Sequence, residues 1–193
     1  MISPGPAAAV TALALFLAGT GADAGAAVEV EESVESYDIS GSKAGQLKRA
    51  MKKLGPREGG RRYAAYTEWI LTWTYTFDER ETECRFDSFD VRAAITMTLP
   101  RWEPGGGAPV ELLERWEQFI DALERHENGH ARIALEAAAS IDAAVSALGP
   151  RASCHELERE ADATARDKVE RYRQRERRYD EQTNHGRAQG ARL

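Results

Sequence analysis

Apolar and polar residues alternate most cleanly in two stretches of the first half of the chain. Trp69, Leu71, Trp73, Tyr75 and Phe77 alternate with Ile70, Thr72, Thr74 and Thr76. A period of two, carried by aromatic and β-branched residues, predicts a strand. Phe89, Val91, Ala93, Ile95, Met97 and Leu99 alternate with Asp90, Arg92, Ala94, Thr96 and Thr98, which predicts a second. The acidic stretch from Asp78 to Glu83 joins them into an antiparallel pair with one apolar face. Pro100 is expected to stop the second strand, and Pro104 to Pro109 reads as a Gly/Pro loop. Upstream, Val28 to Ile39 is a further strand candidate. Ser42 is placed to cap a short helix through Leu47 and Met51 that ends at Gly55-Pro56, and Gly59-Gly60 marks a turn.

The period changes in the second half. Leu112, Leu113, Trp116, Ile120, Leu123, Ile133, Ala134, Ala137, Ile141, Val145 and Leu148 recur at three- and four-residue steps, so one long helix is expected up to Gly149-Pro150. A second helix is expected from about Ser153 to Asp180, with Leu157, Ala161, Val169 and Tyr172 on a thin apolar face. The rest of that helix is dense with alternating charge and reads as a solvated surface held by i,i+4 pairs. The basic run Arg171 to Arg178 is interrupted by Glu176, which argues against a polyanion site. There is no internal repeat. The predicted fold class is α+β: a small antiparallel sheet packed against a long helix and a second, charged C-terminal helix.

Charge narrows the functional classes. Lys and Arg number 26 against 32 Asp and Glu, a net charge of −6, so nucleic acid is not an expected partner. A composition 42% apolar and 30% charged fits a globular chain, not a disordered or membrane-embedded one.

The N-terminal residues read as a leader. Ala7 to Ala18 is an apolar run too short to span a bilayer, and Ala22-Asp23-Ala24 has the small-x-small form of a signal-peptidase site, with Ala24-Gly25-Ala26 as a second candidate. Met1 to Pro6 carries no Lys or Arg, a departure from the usual leader. Residues 1–24 are therefore expected to be a signal peptide and 25–193 one secreted or periplasmic domain with no transmembrane segment. No Cys follows the apolar run, so no lipid anchor is expected. Cys84 and Cys154 are the two cysteines, and in an exported chain such a pair most often forms one disulfide.

The chemistry is concentrated in His126-Glu127-Asn128-Gly129-His130, an HExxH sequence inside the long predicted helix. Imidazoles at i and i+4 lie on one face and can share one zinc ion, with Glu127 as general base. Both histidines continue the apolar stripe, so they are expected to face the interior. Gly129 costs about 1 kcal/mol against Ala in a helix, and one reading is that it admits a strand or backbone near the metal. A catalytic zinc needs a third protein ligand. Ile133 and Glu136 stand where a metzincin spacing needs Gly and His. Glu158 with Asp162 offers an ExxxD alternative. His155 lies beside Cys154, and His185 lies in Tyr179-Asp180-Glu181-Gln182-Thr183-Asn184-His185-Gly186. Spacing alone leaves Glu158 and His185 both open.

The chain resembles a bacterial family of predicted secreted zinc-dependent proteases, formerly of unknown function. The resemblance runs through Tyr37, Gly41, Leu47, Gly55-Pro56, Tyr63, Thr67, Trp69, Trp73, Cys84 and Leu99-Pro100-Arg101-Trp102. It continues through Trp116, Phe119, the HENGH segment, Cys154 and the YDxxTxHG run from Tyr179 to Gly186, covering about residues 34–186. It implies a metallopeptidase-like site with His126, His130 and His185 as zinc ligands, Glu127 as base, a Cys84–Cys154 pair, and a peptide or other amide substrate. Within that frame Asp180 is expected to hold a ligand imidazole from behind or to be the third ligand itself. Tyr179 is a candidate donor to a developing oxyanion. The alternative function is a non-catalytic metal-binding or structural module of the cell envelope.

Overall fold

The computed structural model describes residues 28–104 and 107–193; the expected leader lies outside the described residues. The two alternating stretches form long strands, β4 (Tyr66–Glu79) and β5 (Cys84–Trp102), paired antiparallel with Trp69 opposite Ile95. A third long strand, β1 (Val28–Ile39), lies on the other side of β5. It pairs parallel, from Val28 opposite Val91 to Ile39 opposite Trp102. The sheet is thus mixed, not antiparallel throughout. Between β1 and β4 the chain passes through α1 (Ala44–Leu54) and a hairpin of β2 (Arg57–Glu58) and β3 (Arg61–Arg62). β4 then runs against the direction of β1, and the tight turn into β5 restores it, so β5 returns between the two.

Two local expectations are corrected. β5 does not stop at Pro100. The β4 ladder ends at Thr98, so the strand passes Pro100 where only β1 flanks it and runs on to Trp102. Ser42 does not cap α1. The Gln46 side chain accepts from the backbone N–H of both Ser42 and Lys43, and Lys43 is the cap residue. The Gly59-Gly60 turn forms as expected, both residues taking positive φ, 55° and 80°.

The apolar face of β5, Phe89 to Leu99, is buried beneath α2 (Val110–Ser146) and α3 (Cys154–Thr183). Ala134, Ala137 and Ala138 on α2 are fully buried, so the helix backbone approaches sheet and neighbour closely. Ile141 and Val145 pack with Val91, Ala161 and Ala165 at one end of the core. Leu123 and Phe119 pack with Leu47, Met97 and Leu99 at the other. Trp69 and Ile95 lie between them against Ala131 and Ala134, directly beside the HExxH segment.

Cys84 and Cys154 form a disulfide joining the start of β5 to the start of α3. Cys84 and Arg151 also exchange both backbone hydrogen bonds there. Closing a loop of 70 residues stabilises by about 4 kcal/mol in the chain-entropy model. Ser153 accepts from the Glu156 N–H and starts α3, which runs three residues beyond the expected end. It stops at Asn184 and His185, two consecutive non-glycine residues with left-handed φ (50° and 49°), followed by Gly186 at 77°. That sequence of φ angles turns the chain back across α2 into a 3-10 turn, Arg187–Gln189.

Candidate metal centre

One turn of helix separates His126 from His130, and both rings point inward as the stripe requires; they are 3% and 8% exposed. Their Nε2 atoms are 3.4 Å apart. α3 returns antiparallel and brings Asp180 between them, its Oδ1 at 3.1 Å from His126 Nε2 and 3.2 Å from His130 Nε2. The ligand atoms of His126, His130 and Asp180 all lie within 4.8 Å of one another. In a tetrahedral site with bonds of about 2.0–2.1 Å, ligand atoms stand about 3.3–3.4 Å apart. Two imidazole nitrogens and a carboxylate oxygen at these separations fit a borderline-soft divalent cation such as zinc.

Electrostatics agree with that fit. Burial works against charge on His130, but hydrogen bonds to Asp180 and Glu176 and the surrounding carboxylates push its pKa up to about 9. Burial also opposes ionisation of Asp180, yet hydrogen bonds from both imidazoles, with the charges of His130 and His185, hold its carboxyl far below the usual range. The centre therefore demands positive charge, which protons supply when no metal does.

Each histidine is braced from behind. Glu176, one turn before Asp180, faces Nδ1 of His130 at 3.3 Å. Arg173 donates to the same carboxylate at 3.0 Å and to the Trp69 carbonyl at 2.8 Å, and its guanidinium lies 3.5 Å over the Trp69 ring. His126 Nδ1 meets Gln189 Oε1 at 3.0 Å. Such outer partners fix ring orientation and leave Nε2 as the atom a metal ion could take. The charge-dense face of α3 is thus not simply solvated: Arg173, Glu176 and Asp180 turn into the site.

Glu127 is 4% exposed. The Thr67 hydroxyl at the start of β4 donates to Glu127 Oε2 at 2.8 Å and also lies 3.2 Å from the Glu127 backbone carbonyl. Burial pushes the carboxyl up, partly opposed by that hydroxyl and by the imidazoles. Glu127, both histidines, Asp180 and His185 line a cavity of about 570 Å³ together with Tyr63, Tyr66 and Thr67.

His185 lines the cavity with its Nδ1 3.3 Å from Asp180 Oδ1, and its side chain is 53% exposed. It borders the group that could hold a metal without belonging to it. Asp180, expected chiefly behind a ligand, belongs to that group. Glu158 and Asp162 are far from it in role: they accept from Tyr75 Oη and Trp73 Nε1 and tie α3 to β4. His155 is exposed and faces Glu158. Tyr179 does not face the cavity. Its hydroxyl donates to the His126 carbonyl at 3.2 Å, and its ring stacks on His126 and meets His130 edge-on. The expected oxyanion role does not fit this placement. Gly129 admits that ring, not a strand: a Cβ there would lie 2.1 Å from Tyr179 Oη.

Thr67, Glu176 and Gln189 were not singled out by sequence as site residues. For Glu176 the available signal was its i,i+4 spacing to Asp180. Thr67 was one of the residues carrying the family resemblance, with no role attached to it, and Gln189 carried no signal beyond being polar.

The fold and site define an α+β domain in which an HExxH helix and a returning charge-dense helix bring together one group of side chains that could hold a metal ion. The profile of a bacterial family, described as a bacterial protein of unknown function (DUF922), matches residues 34–186, and the chain belongs to that family. No curated protein and no solved structure matches the chain.

Proposed function

We propose that the protein is an exported zinc-dependent hydrolase of peptide or other amide bonds. The observation that carries this reading is the shared cavity: a buried glutamate, fixed by one oxygen, beside two nitrogens and an oxygen spaced for one metal. His126, His130 and Asp180 would hold the ion, with His185 placed to hold Asp180 from the open side. Zinc bound there supplies Lewis acidity and draws the pKa of water towards about 7.

Glu127 does the proton work. Thr67 occupies Oε2, and Oε1 makes no protein hydrogen bond among the described residues. The raised pKa of the buried carboxyl lets it take a proton from the attacking water and pass it to the leaving nitrogen. Tyr63 and Tyr66 add aromatic surface to the cavity lining, suited to a side chain or backbone of an extended substrate. The disulfide supports an oxidising compartment, and no helix among the described residues is long and apolar enough to cross a membrane.

The closeness of His185 to Asp180 favours one second reading, a four-ligand site closed to substrate. Wild type beside Glu127→Gln separates the two, because a closed site predicts no hydrolysis by either. Catalysis predicts full zinc occupancy with hydrolysis of a peptide library lost. Hydrolysis by Glu127→Gln at the wild-type rate would refute the role given to Glu127.

A further inference from the structure

Residues 187–193 lie beyond the span matched by the family, yet they are built into the centre. Ala191 and Leu193 are buried in the same cluster as Phe119, Ala122 and Leu123, the turn of α2 that precedes His126. Gly186, at a φ of 77°, lies so close to His126 that a Cβ would meet the imidazole Cγ and the His126 Cβ at 3.1 Å. The Gln189 N–H and the Ala191 N–H both bond to the Gly186 carbonyl, at 2.9 and 3.1 Å, and shape the tail into a tight loop. That loop delivers the Gln189 amide to His126.

The hydrogen bonds around this amide have one consistent set of directions. The Tyr179 hydroxyl donates its only proton to the His126 carbonyl. At Gln189 it can therefore only accept, and Nε2 donates to it at 3.1 Å. That places the carbonyl end, Oε1, at His126 Nδ1, 3.0 Å away. The Thr183 hydroxyl, 3.4 Å from the same nitrogen, has its proton on the Tyr179 carbonyl at 2.7 Å and offers only lone pairs. Two acceptors face Nδ1, so Nδ1 carries the proton.

We propose that Gln189 is a positioning residue. It keeps a proton on His126 Nδ1 and leaves Nε2 as the atom that faces the metal, and the tail to Leu193 is the strap that holds it. The two ligand imidazoles are then braced unequally, His130 by the carboxylate of Glu176 and His126 by a neutral amide. The affinity part of this inference rests on the metal site proposed above; the tautomer part does not.

The test compares full-length wild type with Gln189→Leu and Gln189→Glu. Zinc affinity is read by competition with a chromophoric chelator, and the His126 ring by 15N–1H spectra with and without zinc. Gln189→Leu should weaken zinc binding about 10–100-fold, the usual effect of losing such a partner. Gln189→Glu gives up the Nε2 donor to Tyr179 but keeps the acceptor at Nδ1, and should stay within a few-fold of wild type. Wild type should show an exchange-protected proton on Nδ1 in both states, absent in Gln189→Leu. Equal zinc affinities in wild type and Gln189→Leu would overturn the proposal. So would an equally weak Gln189→Glu, which would place the effect outside the acceptor at Nδ1. If Gln189→Leu does not fold, the wild-type spectrum and Gln189→Glu still decide. A wild type that binds no zinc but keeps the protected proton would sink the metal reading and leave the tautomer assignment standing.

Discussion

Gly129→Ala sets helix propensity directly against packing. By propensity alone Ala should stabilise α2 by about 1 kcal/mol. The added Cβ, however, would stand 2.1 Å from Tyr179 Oη, 2.4 Å from Cζ and 2.8 Å from Cε1. Ordinary contact needs about 3.5 Å, so the ring must retreat by about 1.4 Å. It is not free to do so: its hydroxyl is held by the His126 carbonyl and Gln189, and its face by the His126 ring. Overpacking of this kind costs about 1–3 kcal/mol, and the strained hydrogen bond about 1 more. After the propensity gain, the net loss is about 1–3 kcal/mol, or roughly 2–12 °C in Tm for a chain of this size. Because Asp180 follows Tyr179, zinc affinity should fall as well. Urea unfolding of metal-free protein and chelator competition read the two effects. Removing the ring should reverse the sign: in a Tyr179→Ala background, Gly129→Ala should stabilise. A Gly129→Ala protein more stable than wild type, with unchanged zinc affinity, would refute this reasoning.

Two further predictions follow from the bonding pattern. Cys84→Ser with Cys154→Ser should lower the unfolding free energy by about 4 kcal/mol; a loss under about 1 kcal/mol in urea titration would contradict the loop-closure account. In metal-free protein, His130 has a pKa raised to about 9, above its unfolded value near 6.5. Its stabilisation should therefore be complete below about pH 6.5 and lost as pH rises through about 9. Urea midpoints between pH 6 and 10 should fall in wild type and stay flat in His130→Ala; a flat wild type would contradict the assignment.

What the sequence made legible follows the physics of each element. β4 and β5 bury one face each, so their period of two is plain, and α2 buries enough Ala, Leu and Ile to show its stripe. The HExxH spacing is local and needs only a helix. β1 was readable as a strand but not as a parallel neighbour, because its partner residues, from Val91 to Trp102, are remote in sequence. The site half of α3 was hidden for a different reason. Arg173, Glu176 and Asp180 face inward to satisfy one another and the imidazoles, and inward charges look like solvated ones in a sequence. The ExxxD pair Glu158 and Asp162 shows the converse: a motif-like spacing whose carboxylates bind aromatic side chains of β4. Tyr179 was noticed for its hydroxyl, but its place behind the histidines depends on the gap left by Gly129.

The central claim is one metal held by α2 and α3 together, and elemental analysis of purified protein tests it most directly. Wild type should carry close to one zinc per chain. His126→Ala, His130→Ala and Asp180→Ala should each lose it, His185→Ala should keep it with weakened affinity, and Glu158→Ala should match wild type. A folded wild type that takes up no zinc after incubation with it, or an Asp180→Ala protein that keeps its zinc, would contradict the account.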